Sequence, residues 1–299
     1  MKQLKNISIG ISAYNEGKNI KKLLDEILNQ EKNRWRLSEI LIYCDGCSDN
    51  TINQAQTVKN SLIKIIDGKK RMGKTYRLKQ MFEQFSGEIL IMFDGDIELG
   101  DKNVVTNLIK PFRNKNVMLV GGNSKPFTPR TFFERSVYST FSVFYDSRLK
   151  INGGNNIFGC TGSVLATRGN FAKSLNLPDL INEDAYIYLK CLSRGFQFKY
   201  VDKAIVYYKL PTNLKDYLRQ LFRSDPRAVT EELETYFGQL VESEFNRPPK
   251  FYIRAVAKAL LKNPTGASFI AIVNVLCKPF IKKISKNYKL TWFTAISTH

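Results

Sequence analysis

The sequence predicts an α/β fold built on a mostly parallel sheet with helices on both faces. Three observations carry this expectation. Short apolar segments of strand type at 7–13, 39–43, 63–66, 89–93 and 117–120 alternate with helical segments. Several of these strands are apolar throughout, as strands covered on two faces are. The residues able to do chemistry cluster just beyond the strands, at 14–17, 45–49, 68–74 and 94–96, where open α/β sheets bind their ligands.

Each element has its own signal. Leu23, Leu24, Ile27 and Leu28 share one helical face in 20–28. Asp49 or Asn50 is expected to cap a helix running towards Leu62. A further helix occupies 75–85, and Val104, Val105, Leu108 and Ile109 mark another. After Gly122 the rhythm changes. The segment 126–130 reads as a loop, 132–145 as an aromatic-rich helix, 153–162 as glycine-rich, and 182–194 as a helix closed by Gly195. A strand at 198–208 and a basic helical region from Tyr217 complete this stretch.

The bulk numbers bound the answer. With 299 residues and 43% hydrophobic content the chain can bury a core in one main domain plus an appendage. The net charge of +19 favours polyanionic partners: nucleic acid, anionic lipid or phosphorylated substrates. Nine of the Lys and Arg residues, and no Asp or Glu, fall in 250–299. Arg254, Lys258 and Lys262 recur every four residues beside an apolar face, and 266–277 is uncharged. Twelve residues of helix span about 18 Å, short of the ~30 Å of a bilayer core. Lys278, Lys282, Lys283, Lys286 and Lys289 come next, with Trp292 and Phe293 close behind. This composition suits a helix lying on an anionic membrane surface, or a helical subdomain with a solvated basic face. The aromatic run Phe132, Phe133, Tyr138, Phe141, Phe144 and Tyr145 reads as core or as the border of a lipid-linked acceptor. Five cysteines without framework spacing, and a single His at 299, argue against a zinc site and for reduced thiols in a cytosolic setting. The strand pattern starts close to residue 1, with no apolar leader expected.

Several local patterns are open to two readings. Asp94-Gly95-Asp96 follows a strand, and two such carboxylates can share a hard divalent cation with substrate phosphates; the same letters suit an acidic turn. Asn182-Glu183-Asp184 suits a helix N-terminus favoured by its dipole, or a general base held there. From Gly68 to Thr75 the letters G-x-x-x-x-G-K-T match a phosphate-cradling P-loop, which makes an NTPase or kinase a rival reading. A P-loop usually opens its domain, however, and this one follows at least two strands and is crowded by Lys69, Lys70 and Arg71. A non-catalytic nucleic-acid binder is a third reading, but no groove-reading motif or stacking array supports it.

The order of motifs decides. The chain reads S-A-Y-N-E, I-Y-C-D-G-C-S-D-N-T, G-K before a helix, I-M-F-D-G-D, G-S-V-L-A-T-R, N-E-D-A-Y-I-Y-L-K-C-L-S-R-G-F and R-Q-L-F-R. Over roughly 7–224 this resembles the family-2 glycosyltransferases, inverting enzymes of the GT-A fold. The resemblance implies a catalytic domain at 1–225 and a helical basic extension at 226–299, placed at the cytoplasmic face of the cell membrane. It implies a nucleotide-diphosphate sugar as donor, UDP-linked for preference, and a lipid-linked or cell-surface glycan as acceptor, with no nucleic-acid partner. Tyr14 and Glu16 would border the base and ribose, with Asp45 on the base and Lys74 near the diphosphate. Asp94 and Asp96 would hold Mn²⁺ or Mg²⁺. Gly162, Ser163 and Glu183 would line the acceptor side, and Asp184 would be the catalytic base. Gln220 and Arg223 look like part of a motif that closes over the donor. Three positions depart from the pattern. Cys44 stands where the family usually has an Asp, Cys47 replaces a common Ser, and Ser224 replaces the Trp of processive synthases.

Overall fold

A computed structural model of the chain describes residues 5–223, 226–246, 248–285 and 296–298. These residues form two compact units. One comprises Met1–Lys125 and Cys160–Tyr208, the other Pro126–Gly159 and Lys209–Thr298.

In the first unit β1 (Lys5–Ala13), α1 (Ile20–Leu28), β2 (Trp35–Asp45), α2 (Thr51–Thr57), β3 (Ile63–Gly68), α3 (Lys74–Gln84) and β4 (Ile89–Asp94) alternate as the apolar rhythm predicts. Next come β5 (Glu98–Leu99), α4 (Val104–Ile109) and β6 (Val117–Pro126). The chain then passes through α5 (Phe132–Lys150) of the other unit. It returns as β7 (Val164–Arg168), α6 (Gly169–Lys173), α7 (Glu183–Ser193) and β8 (Gln197–Tyr208). The eight strands lie in the order β3-β2-β1-β4-β7-β6-β8-β5. The β3, β2, β1 and β4 half is parallel, because α1, α2 and α3 supply the crossovers that parallel neighbours need. Beyond β4 the sheet changes sense: β7 runs antiparallel to both β4 and β6, and β5 antiparallel to β8. The sheet is therefore mixed.

The core forms where the strand pattern meets the helices. Ile7, Ile9, Ile11, Ile40, Ile42, Ile89, Ile91 and Phe93 are all buried with Leu23, Leu24 and Ile27 of α1. On the other face Gly10 admits α3, since a Cβ there would stand 2.1 Å from the Met81 sulfur. Two local expectations are corrected. α2 ends at Thr57 rather than near Leu62, because Val58 is extended and Asn60 Oδ1 accepts the Leu62 N–H in a turn. The N-terminal positions Asn50 and Asn182 make no side-chain cap; at α2 it is Asp49 that accepts the Thr51 N–H.

The second unit is helical: α5, α8 (Leu214–Arg223), α9 (Pro226–Phe237), α10 (Gln239–Phe245), α11 (Pro249–Lys262) and α12 (Pro264–Ser285). Thr131 and Glu134 form a capping box that starts α5. α5 packs on α11 and α12, so it groups with the C-terminal helices and not with the sheet. Phe133 meets Tyr217 and Phe269 edge-on, and Phe144 meets Phe158, so part of the aromatic run packs, half-buried, within this unit. Phe132 and Tyr138 stay exposed. Among the described residues no helix is long and apolar enough to cross a membrane. Ser224, Lys286, Lys289, Trp292, Phe293 and His299 lie outside the described residues.

At the foot of the sheet the buried Glu39 carboxylate ties three strand regions together. It accepts from Ser8 Oγ (2.7 Å), from the Ser86 N–H and Oγ (2.7 Å each) and from Lys64 Nζ (2.8 Å). Burial alone would raise its pKa, but these donors outweigh it and hold the group at about 2. A carboxyl held that low contributes on the order of 3 kcal/mol to stability. The contribution is complete above the unfolded pKa, near ~4.3, and is lost as pH falls towards 2. Replacing Glu39 by Gln is therefore expected to cost about 2–3 kcal/mol in urea unfolding at pH 7. The gap from wild type should close as pH falls to 2. An equal gap at both pH values would disprove the assignment.

Candidate active site

Four connections out of the parallel strands build the site. After β1, Tyr14 to Gly17 is laced to the loop after β2. Asn15 is held at φ 59° and accepts the Ser48 N–H on Oδ1 at 2.8 Å, while the Gly17 N–H donates to Asp49 Oδ2 at 2.9 Å. Glu16 is buried; its N–H donates to Thr51 Oγ1 (2.7 Å) and its carboxylate accepts from Asn19 (2.8 Å). Tyr14 is half-buried with the Arg71 guanidinium over its ring, 3.8 Å from the centroid. That is cation–π geometry.

Asp45, at the end of β2, is buried beneath the loop 68–74. Its Oδ1 accepts the Met72 N–H and Arg77 Nε, and its Oδ2 accepts the Gly73 N–H, all at 2.8 Å. The backbone donors that a P-loop would turn towards phosphate here point at a carboxylate. The letters match, but the two N–H groups next to the lysine are already engaged. Gly73 has φ 97° and opens α3, so Lys74 is the first residue of that helix. Arg77, one turn on, is buried; its i, i+3 relation to Lys74 is readable in the sequence, but its task of holding Asp45 is not. Arg71 likewise reads in the sequence only as part of a charged loop.

Lys74 lies at the centre of the site. Its ammonium pairs with Asp94 Oδ1 at 2.6 Å and Glu183 Oε1 at 3.1 Å, and donates to the Gly162 carbonyl at 3.1 Å. A Cβ at Gly162 would come within 2.8 Å of that ammonium and displace it from its present position. The Gly162 N–H in turn donates to Asp184 Oδ2 at 2.8 Å, and Oδ1 of Asp184 accepts its neighbour's N–H from Ala185 at 2.8 Å. The space left beside Lys74 is about 10 Å³, room for one water. Ser163 shares hydroxyl contacts with Ser124 and Thr161, and its carbonyl accepts the Asp94 N–H at 3.3 Å.

The electrostatics result from this crowding. Burial pushes the carboxyls of Glu183 and Asp184 up from the ordinary carboxylate range, and Lys74 opposes both shifts. Burial pulls the other way on Lys74, but Asp94 and Glu183 overcome it and keep the amine firmly protonated. Asp184 further accepts two backbone N–H groups that favour its ionised form. Its pKa is thus raised by burial, against the pull of one neighbouring cation and two fixed donors towards the ionised form.

Two further pairs of expected site residues lie elsewhere in the chain. Asp94 and Asp96 leave the end of β4 together, half-buried. Two carboxylates are a fitting partial set for a divalent cation that takes its other oxygens from phosphate and water. The Lys74 ammonium on Asp94 shows that this position favours a positive charge. Gln220 and Arg223 lie on α8 in the second unit, each half-buried and each with partners of its own. At the departures from the pattern, Cys44 belongs to the hydrophobic core. Cys47 accepts the Asn15 N–H at 3.4 Å and reaches the Ala13 carbonyl at 3.5 Å. A hydrogen bond from Cys44 brings the Cys47 thiol down to about 7.

This arrangement has known counterparts. The fold matches the mannosyltransferase PcManGT of Pyrobaculum calidifontis, solved with GDP-mannose and Mn²⁺, at a TM-score of 0.59 and 18% identity, over 93% of this chain and 76% of that one. It also matches glucosyl-3-phosphoglycerate synthase of Mycobacterium tuberculosis, solved with Mn²⁺, UDP and phosphoglyceric acid, at 0.55 and 17%, over 77% and 78%. These establish the GT-A fold, here with helices following it in the chain. In sequence the chain is 25% identical over 253 residues to poly-β-1,6-N-acetyl-D-glucosamine synthase of Staphylococcus aureus, covering 81% of this chain. It spans 59% of that relative's length. The model of glycosyl transferase family 2 matches residues 8–174, more than half of the sequence. The chain belongs to glycosyl transferase family 2.

Proposed function

We propose that the chain transfers a sugar, with inversion, from a nucleoside-diphosphate donor to a hydroxyl of a lipid-linked or cell-surface glycan. The observation that carries this reading is the meeting of Asp94 and Glu183 on one half-buried ammonium, beside an Asp184 fixed by the Gly162 N–H. Asp184 would take the acceptor's proton as the hydroxyl attacks the anomeric carbon. No second carboxylate is assigned as a nucleophile, so the reaction is a single displacement and the anomeric centre inverts. Tyr14, Glu16 and Asp45 would shape the nucleoside end, with Asp45 acting also through the loop it holds. Lys74 would balance charge that develops on the leaving diphosphate, and Gln220 and Arg223 would close over the donor. Asp94 and Asp96 would hold Mn²⁺ or Mg²⁺, which when bound supplies Lewis-acid stabilisation of that diphosphate. Gly162, Ser163 and Glu183 would line the acceptor side. A UDP-sugar is the proposed donor. Nucleic acid has no part in the reading.

The second unit supports association with an anionic membrane surface, at the cytoplasmic face. Ile272, Val275, Leu276 and Phe280 are exposed at i, i+3, i+4 and i+8 of α12, a single apolar face. Arg254, Lys258 and Lys262 are exposed on α11. An apolar face beside cations is the composition of an interfacial helix. Changing Leu276 and Phe280 together to Glu should abolish co-sedimentation with phosphatidylglycerol vesicles and leave the thermal transition in place. Undiminished sedimentation would remove the membrane assignment.

Two experiments test the chemistry. In the first, Asp184→Asn should lower transfer by about 10²- to 10⁴-fold while UDP with Mn²⁺ still raises the melting temperature as in wild type. Asp96→Ala should lose both that shift and transfer. Wild type in chelator should behave as Asp96→Ala does. Loss of UDP binding in Asp184→Asn would make Asp184 a structural group. A shift with ATP alone would revive the P-loop reading.

The second concerns pH. Asp184 must be ionised to accept a proton, so the rate falls as pH drops through its pKa. Lys74 holds that pKa down against burial. In Lys74→Met the acid limb of the kcat profile should move to higher pH, on top of any loss in rate, and Lys74→Arg should restore its position. An acid limb that stays put would show that Lys74 does not act on the base.

A further inference from the structure

The opposite edge of the sheet holds a second basic feature that the transfer reaction does not use. Lys5 opens β1, Arg34 immediately precedes β2, and Lys110 and Arg113 come after α4. These four cations, with Asn33 and Asn103 among the other lining residues, surround a cavity of about 420 Å³. β1 and β2 are parallel, so this cavity lies at their N-terminal ends while Tyr14 and Asp45 lie at their C-terminal ends. Nine residues of strand separate the two by about 30 Å.

The cations outnumber the nearby carboxylate, Glu88, which acts on Lys5 without direct contact. Among the described residues none of the four cations is ion-paired with a carboxylate. Lys5 Nζ donates to the Phe112 carbonyl at 3.2 Å, and Lys110 Nζ to Asn107 Oδ1 at 2.8 Å; both acceptors are neutral. A fifth cation, Arg168, points its guanidinium at the carbonyls of Phe112, Asn114 and Val117. Burial, then the nearby Arg168, pull the Lys5 amine below its ordinary value, with Glu88 opposing and Arg113 adding to the repulsion. Like charges gathered in a concave site raise the potential there and attract a counter-anion. The backbone assists the arrangement. Arg34 adopts φ 63°, and its carbonyl accepts the Lys5 N–H at 3.4 Å, which joins the two strand starts.

We propose that this cavity binds a phosphate-bearing polyanion, separately from the donor site. The volume falls in the range of small-molecule sites, ~300–1,000 Å³, and is large enough for a nucleotide-sized ligand. Two arginines and two lysines suit at least two phosphate groups, the guanidinium forks giving directional contacts and the ammonium groups point charges. Asn33, Asn103 and Thr106 offer hydrogen bonds to the remainder, and Ile109 an apolar wall. The ligand is either a soluble phosphate ester or a lipid headgroup, since both present the same chemistry.

The test uses the full chain in chelator, which keeps metal-dependent diphosphate binding at the donor site out of the measurement. Inorganic triphosphate is titrated by calorimetry. One equivalent should bind, more weakly as salt rises, and the double variant Arg34→Ala/Arg113→Ala should weaken it by about tenfold or more. Transfer at saturating donor should be unchanged in that variant. In parallel, sedimentation is measured with phosphatidylglycerol vesicles. Loss of triphosphate binding alone assigns the cavity to a soluble phosphate, and loss of both assigns it to a headgroup; either supports the proposal. Triphosphate binding that survives the double variant, or that is lost only in Lys74→Ala, overturns it. So does the absence of binding to wild type. The Lys74→Ala arm also separates failure of this proposal from failure of the donor-site reading.

Discussion

The site depends on one ammonium group. Asp94 arrives from the end of β4, and Glu183 and Asp184 from the start of α7. Three carboxylates brought that close, two of them with raised pKa values, repel one another in a poorly solvated space. Without a cation some of them would hold protons and cease to be useful as bases or ligands. Lys74 supplies the charge, and its position is fixed from behind by the fold. Gly73 turns the chain into α3, and Gly162 leaves room for the side chain to reach across. In the proposed reaction the same ammonium that orders the carboxylates would meet the donor's diphosphate. A second cation on Asp94 and Asp96 would relieve Lys74 of part of its present task.

A second constraint prepares the first. Asp45 has the loop 68–74 attached to it by two backbone N–H groups and by Arg77. That carboxylate is buried and threefold bonded, so the start of α3, and with it Lys74, has one location. The loop's outer side carries Arg71 onto Tyr14. The residues proposed for the nucleoside end and for the diphosphate end are thus joined through the same short segment. The P-loop resemblance of those residues arises because both designs need a glycine to turn and a lysine at a helix start. They differ in the partner of the backbone N–H groups: phosphate in one, Asp45 in the other.

The parallel half of the fold is legible in the sequence because each of its strands is apolar and separated from the next by a helix. α1 begins and ends at the predicted residues. In the antiparallel half β6 and β8 are legible as strands at 117–120 and 198–208, but β7 is not, since it is only five residues long, V-L-A-T-R, with no periodicity to mark it. The helices of the second unit past α8 show in the sequence only as charge and apolar stretches, because their packing partner, α5, is about a hundred residues away along the chain. Within the site, the motif residues that gather around Lys74 can all be named from sequence. The hydrogen-bond partner of each cannot. A long-range pair such as Asp45 with Arg77, or Gly162 with Asp184, is a property of the folded sheet and leaves no local pattern.

The two ends of the parallel strands show how the net charge of +19 is used. At the C-terminal ends, carboxylates outnumber the one half-buried lysine they gather around. At the N-terminal ends, four cations stand with no carboxylate paired to them among the described residues. Both arrangements rest on the same strands, β1 and β2, and both draw on the segments that flank a strand and not on the strand itself. A sheet of this kind isolates its two edges by the length of its strands. Opposite electrostatic environments can then coexist about 30 Å apart, well beyond the ~8 Å over which salt screens exposed charges under physiological conditions. The basic end is therefore screened from Asp184, the proposed base, and an anion held there would leave the proposed transfer chemistry to the carboxylates and Lys74.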